Sequence, residues 1–377
     1  MAGTIIESQL SVTTGRESVR FATASGRDDE AIRRLLRENP LRGAVSLTFE
    51  REPGYFLGAQ IADADDETIL AHENGRLVCM GRSVVRECHV NGEPRRTGYL
   101  SDLRLDASAR GRFDILRRGY RFFRELHRGN PPDICFTSVT SDNVRSLRFL
   151  ERGLPGMPVY EPLAGITTLA IPVPRDERKL ARLEERALAH LKSWGLSVIP
   201  ATEKHIGPLA ECLDAHASRH NLAAAWTADK IRLLHAHGLA PGDFQLLMEG
   251  VQIAGCAALW DQRGFKQTVI RGYRGAIAWS RPWLNLLADC SGMPRLPRPG
   301  SALAHGFLSP LAIPNGRGHL VPHVIESMLP FAARRGLDFL TLGFAADDAR
   351  LPLLRSRFRC REYSNRLFRV RWRDAET

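Results

Sequence analysis

No run of about 18 apolar residues occurs anywhere in this chain, so nothing in it reads as a membrane-crossing helix. Its opening, MAGTIIESQLSVTTGRESVR, lacks the charged-then-apolar plan of a secretory leader and reads as a short mobile tail over residues 1–18. The seven cysteines (79, 88, 135, 212, 256, 290 and 360) are odd in number and never spaced as CxxC. That excludes a disulfide framework and a cysteine zinc site, and points to reduced thiols in a cytoplasmic protein, with Cys135 a strand residue rather than a nucleophile. There is no Gly-x-Ser-x-Gly elbow. Zinc-finger spacing, an RNA-binding aromatic strand and a helix-turn-helix are also missing, so no nucleic-acid partner is expected. No membrane partner is expected either.

What is present is an ordinary globular composition, 44% hydrophobic and 25% charged, over 377 residues. That length exceeds one usual core and suits two domains. The formal charge of +11 comes mostly from arginines spread along the chain rather than gathered in a tail. A small anionic ligand is enough to use part of it locally.

Periodicity gives the order of elements. A strand near 19–22 leads into a helix over 28–39, which Pro40 stops. An irregular stretch follows at 46–56. Strands at 68–71 and 77–85 join through Glu73-Asn74-Gly75, and Asn91-Gly92 returns the chain into 97–105; both are hairpin signals. A basic loop, a helix at 115–127, a strand at 134–139, a helix at 143–152 and a strand at 166–173 complete the set. Residues 196–372 repeat this order in pattern rather than in identical residues. The expected boundaries are therefore a tail (1–18), a first domain (19–173), a linker helix lying on the surface (174–195) and a second domain (196–373).

The segment 99–116 ends a strand in Tyr99-Leu-Ser-Asp-Leu-Arg-Leu and opens a helix through Ala-Arg110-Gly111-Arg112-Phe113-Asp114-Ile115. Backbone N–H groups at a helix start attract phosphate, and the helix dipole adds to that. Downstream, Thr137-Ser-Val-Thr-Ser-Asp-Asn143 leads into a helix with Ser146, Leu150 and Gly153. Together these stretches resemble the coenzyme A loop and the following strand and helix of the GNAT acyltransferases. The resemblance implies an α/β (α+β) chain of two tandem GNAT-like domains, each a mixed, mostly antiparallel sheet flanked by helices. It departs from the family pattern where two small loop positions fall on Phe113 and Ile115. It departs again where Leu150 replaces a tyrosine that often protonates the leaving thiolate. Arg112, Arg117 and Arg118 are expected to compensate by charge.

On that resemblance the cofactor-binding positions are Leu103, Arg104 and Leu105 through their main chain, then Arg110, Gly111, Arg112, Phe113, Asp114, Ile115, Asn143 and Ser146. Asp102 and Glu50 are the candidate bases, and Tyr99, Tyr55 and Tyr160 the candidate acids. The second copy of the loop, Ala312-Ile-Pro-Asn315-Gly316-Arg-Gly318-His-Leu320, has Asn315 where arginine or glutamine is usual, so the first domain is taken as the binder and the second as degenerate. His305, His319 and His323 have a spacing that can hold metal, but Pro322 between the last two and the missing carboxylate argue for none. Trp279 and Trp283 read as a core pair or a pocket lining. The co-substrate expected is acetyl-CoA or another acyl-CoA. The expected partners are that coenzyme A thioester and a small-molecule or peptide amine acceptor, and a homodimer is compatible with the sequence. Three functions stay open: acetyl transfer to an amine, a silent coenzyme A-binding or interaction protein, and transfer of a longer acyl group from coenzyme A or a carrier protein.

Overall fold

In the computed structural model, which describes residues 19–41, 43–61, 65–291 and 294–372, the hairpins form where the sequence asks for them. Asn74 and Gly75 take left-handed φ values of 53° and 75°, and Asn91 and Gly92 take 54° and 85°. Such turns match the twist of the strands they join, and these residue types adopt them at little cost. The expected tail at 1–18 lies outside the described residues.

The first half runs β1 (Arg20–Thr23), α1 (Asp29–Glu38), β2 (Val45–Glu50), β3 (Asp65–Glu73), β4 (Arg76–Val90) and β5 (Glu93–Leu105). It continues through α2 (Phe113–Leu126), β6 (Ile134–Thr140), α3 (Val144–Glu151) and β7 (Val159–Pro172). Helix α4 (Glu177–Ser193) connects the halves. The second half runs β8 (Leu196–Pro200), α5 (Ile206–Ala217), β9 (Ala223–Ala224), α6 (Ala228–His235), β10 (Phe244–Glu249) and β11 (Gln252–Trp260). Then come β12 (Gln267–Tyr273), α7 (Ala276–Ser291), β13 (His305–Ala312), α8 (Val321–Arg334), β14 (Phe339–Ala345), α9 (Leu351–Arg357) and β15 (Arg361–Arg371).

All but β2 and β12 join one sheet in the order β1-β3-β4-β5-β6-β15-β7-β14-β13-β11-β10-β8, with β9 on the far end of β4. The two halves are interleaved. The last strand of the chain, β15, lies between β6 and β7 of the first half, while β7 lies between β15 and β14. Each half thus has the closing strand of the other set into it, β15 beside β6 and β7 beside β14. Smaller pairings repeat the embrace. Strand β2 pairs with β12 of the second half, Gln267 opposite Glu50, and β9 pairs with β4, Ala223 opposite His89.

The larger core lies under the second half and includes Leu169 and Ile171 of β7 beside Leu308, Val324, Ile325 and Leu340. Helix α4 differs from the expectation of a surface linker. Leu180, Ala187 and Leu191 are buried, and Leu180 and Leu191 join that same core alongside α8. Part of its alanine and leucine stripe is thus an inner face, while Ala181, Leu188 and Ala189 meet water with the charged side. No described helix is long and apolar enough to cross a membrane.

Candidate active site

Strands β5 and β6 run parallel and pair only over Thr97–Tyr99 and Ile134–Phe136. Beyond Thr137, whose hydroxyl donates to the carbonyl of Leu100 at 2.7 Å, the two strands part, while β6 stays paired to β15 on its other edge from Cys135 to Thr140. Among the described residues, no strand lies beside the β6-facing edge of β5 from Ser101 onward. At the same place β5 bulges. Arg82 stands opposite Ser101 and Met80 opposite Arg104, so Asp102 and Leu103 together face Gly81. Asp102 is left-handed (φ 51°), a conformation that aspartate tolerates better than most residues. A bulge re-aims the groups it carries, and here it brings the main chain of Leu103, Arg104 and Leu105 to the opening.

The Asp102 carboxylate enters a cluster assembled from distant parts of the chain. Arg51, just after β2, donates to it at 3.2 Å, and Arg82 of β4 lies 3.9 Å away. Arg82 is also held by Asp66, Nε to Oδ1 at 2.7 Å. Lys266, at the start of β12, is set opposite Arg51 by the pairing of Gln267 with Glu50. The Gln267 amide fastens this register by donating to the carbonyl of Glu52 at 2.8 Å and accepting from its N–H at 2.9 Å. Burial alone would raise the pKa of Asp102, but Arg51, Arg82, Arg104 and Lys266 outweigh it and hold the carboxylate below its usual range. Burial and then the neighbouring Arg51 pull the Lys266 ammonium down to about 8, against the attraction of Asp102. Neither Arg51, Arg82 nor Lys266 is marked by any local motif.

The other expected site residues fall as follows. Tyr99 is the last β5 residue paired to β6, and its hydroxyl shares a hydrogen bond with Ser138 Oγ at 2.8 Å. Burial is the main reason its pKa is raised. Tyr55 bonds Thr68, and Tyr160 bonds Tyr120 under the sheet. Glu50 is buried on the β2–β12 pair, where its Oε1 accepts from both Thr48 and Arg271 and ties the two halves. Asn143 caps α3 by accepting from the N–H of Ser146 at 3.2 Å.

The loop before α2 is fixed at its base by buried Asp106, which accepts from the N–H of Ser108 at 2.9 Å. Gly111 is left-handed (φ 87°). The expected charge compensation is only partly available. Arg112 bonds Asp114 twice at 2.9 Å and Glu73 at 3.1 Å. Arg118 donates to the carbonyl of Val19 and sits over Phe21. Asp114 is held below its usual range, first by the Arg112 guanidinium and further by the backbone N–H groups at the helix start, so a carboxylate already sits there. Arg110 and Arg117 are exposed. Phe113 does not fill the loop. It stacks on Phe149 of α3 with centroids 5.2 Å apart and bridges the two helices. Behind Leu103 lies a small apolar cavity of about 50 Å³ whose lining includes Gly81, Met80, Ile115, Phe21 and Tyr120.

The second half has the same splay, since β13 and β14 pair only from His305 to Phe307. Its bulge is made of Ser309 and Pro310, opposite Ala258. Pro310 takes the place of Leu103 and has no N–H to offer. In the loop that follows, Asn315 and Gly316 are exposed, and its flanks are tied to other elements. Trp194 packs on His319 at 4.5 Å, Arg317 pairs with Glu249 at 2.8 Å, and Arg357 of α9 bonds Glu326 of α8 at 2.7 Å across the groove between those helices. His323 stacks on His190, and His305 contacts Thr268. No group of three or more His, Cys, Asp or Glu side chains that could hold a metal ion occurs among the described residues.

No protein-family model matches this sequence, and no curated protein matches it. Solved structures do. Saccharomyces cerevisiae N-myristoyltransferase with bound myristoyl-CoA superposes with a TM-score of 0.60 at 12% identity, over 97% of this chain and 86% of that one. A GCN5-related N-acetyltransferase from Sphaerobacter thermophilus superposes at 0.54 and 12% identity, over 94% and 96%. The fold is therefore the GNAT fold, a large mixed sheet flanked by helices, and it runs through both halves.

Proposed function

We propose that this protein transfers an acyl group from a coenzyme A thioester to an amine, and that the reaction takes place in the splay of the first half. The observation that carries the proposal is the bulge at Asp102 and Leu103 on an open strand edge. It supplies main-chain N–H groups where a thioester oxygen gains negative charge. Donors set in place beforehand act on the transition state without reorganising. The second half has Pro310 at that point, without an N–H to offer, which favours the first half as the centre. The two solved relatives named above are an N-myristoyltransferase holding myristoyl-CoA and an N-acetyltransferase, which fits this chemistry.

In the reaction the acceptor nitrogen bonds to the acyl carbon, the carbon–sulfur bond breaks, and coenzyme A leaves as a thiolate. The acceptor loses one proton and the thiolate gains one. Lys266 is the group suited to take the first proton, because its pKa of about 8 leaves part of it neutral near neutral pH. Asp102 stays ionised and holds the cluster together. Tyr99, kept protonated, is suited to supply the thiolate, a thiol of about 8.5 being a fair leaving group. Leu150 is buried in the core and takes no part. The acceptor enters from the side formed by β2 and β12.

A longer acyl donor is the second reading, and the cavity behind Leu103 supports it. As it stands, at about 50 Å³, it admits only a short acyl chain. Thiol release in the presence of a panel of amines, with donors from acetyl-CoA to myristoyl-CoA, tests both readings. Transfer that is best with acetyl to butyryl donors is expected. A sharp optimum at long chains would mean that Phe21 and Tyr120 swing aside, and no thiol release with any donor would contradict the enzyme reading.

A further inference from the structure

Helix α7 is amphipathic in the reverse sense for a globular protein. Two of its polar residues face the body: Asn285 accepts from the N–H of Leu296 at 2.7 Å and donates to its carbonyl at 3.2 Å, while Arg281 lies over the Tyr273 ring. Its large apolar residues face out. Trp279 is 87% exposed, Trp283 70% and Leu286 55%, and the spacing of four and three places all three on one stripe. Exposing a stripe of this kind costs free energy in water and marks a docking face.

Between α7 and the segment 294–298 is a cleft of about 390 Å³ lined by Arg281, Arg295 and Arg298, with Asn285 and Pro297. Residues 265–304 contain six basic side chains and a single acidic one, Asp289. We infer that α7 and this arginine cleft dock on the surface of an anionic phospholipid bilayer. Trp279, Trp283 and Leu286 enter the boundary between headgroups and acyl chains, where the indole ring suits one apolar and one wet side. The arginines meet headgroup phosphates, which they recognise well.

The charge decides between a bilayer and a second copy of the chain. A two-fold contact through α7 would bring Arg274, Arg281 and Arg298 of both copies together with almost no counter-charge, whereas an anionic bilayer provides it. The absence of a long apolar run excludes only a spanning helix; a helix lying in the interface needs no such run. Because β12 leads from Lys266 into α7, docking would bring the opening on the β2–β12 side toward the lipid. The inference does not depend on the acyl-transfer reading.

The test is co-sedimentation of the full chain with phosphatidylcholine vesicles, with and without about 30% phosphatidylglycerol, beside the variants Trp279→Ser/Trp283→Ser and Arg298→Glu. These positions are exposed, so unfolding midpoints should stay at the wild-type value. Binding to the anionic vesicles alone is expected, weakened by salt, with at least about a tenfold loss in the tryptophan variant and a smaller loss in Arg298→Glu. A blue shift of tryptophan emission on binding should vanish with Trp279 and Trp283. No binding, or binding that the tryptophan variant leaves unchanged, would overturn the inference. So would a wild-type dimer in solution that the tryptophan variant dissociates, since the occupant of the face would then be a second copy.

Discussion

Asp102→Asn is expected to lower the stability of the protein by about 3–5 kcal/mol, the usual cost of removing one member of a buried ionic group. The carboxylate is the shared counter-charge of Arg51, Arg82, Arg104 and Lys266. Without it four cationic groups face one another with only Asp66 left, on the far side of Arg82. Asparagine is the right replacement because it also tolerates the left-handed backbone at φ 51°, so the loss reports charge rather than strain. Denaturant unfolding measures it. A loss below about 1 kcal/mol, the scale of an exposed pair, would mean that solvent screens the cluster and that the carboxylate does not organise it.

Lys266→Met should raise stability while abolishing most of the activity. The ammonium pKa is about 8 in the folded protein, well below that of an ordinary lysine. The folded state therefore disfavours the charged form. That penalty is complete below about pH 8 and fades between there and the ordinary lysine value, as the folded protein sheds its proton while the unfolded chain still holds one. Methionine removes the penalty while keeping the apolar stem. The gain is about 2 kcal/mol near neutral pH, after discounting for the water that reaches the ammonium, and it shrinks above pH 8. If Lys266 accepts the amine proton, transfer by the wild type rises with pH to a midpoint near 8. The variant then loses about 10²–10⁴ in rate together with that pH dependence. A variant that is more stable but equally active, with the same pH profile, would make Lys266 a spectator.

The two outcomes rest on residues that the sequence treats very differently. Both Asn-Gly hairpins, the helix of α2 and the capping Asn143 could be read directly, because turn chemistry and helical spacing act over a few residues. Asp102 could be singled out only through the family resemblance, as the residue just before the main-chain positions Leu103, Arg104 and Leu105. Lys266 could not be found. It is one of only five lysines, but it sits in a stretch without clear periodicity, and only the β2–β12 pairing carries it to Arg51. The exchange of β7 and β15 was equally hidden, since a buried strand has the same alternation whichever neighbour it pairs with. The glutamate at 50 looked like an open carboxylate because its partner, Arg271, comes from the other half. Trp279 and Trp283 looked like core residues because an apolar stripe fits an inner face and an outer one alike.

The loop before α2 shows the same limit on a smaller scale. Its arginines suggested a phosphate site, yet Arg112 is already bonded to Asp114 at the helix start. A phosphate must replace that carboxylate, so Arg110, exposed and just ahead of Gly111, is left as the first contact and Asp114 as a competitor.

Thermal unfolding with acetyl-CoA, longer acyl-CoAs and free coenzyme A, for the wild type, Arg110→Ala, Asp114→Asn and Arg317→Ala, tests the central claim most directly. A ligand at about 100 times its dissociation constant stabilises by about 2.7 kcal/mol, roughly 5–10 °C for a unit the size of one half. The account predicts such a shift for the wild type, a smaller one for Arg110→Ala, a larger one for Asp114→Asn and no change for Arg317→Ala. A shift lost only in Arg317→Ala, or no shift with any coenzyme A species, would contradict a thioester site in the first half.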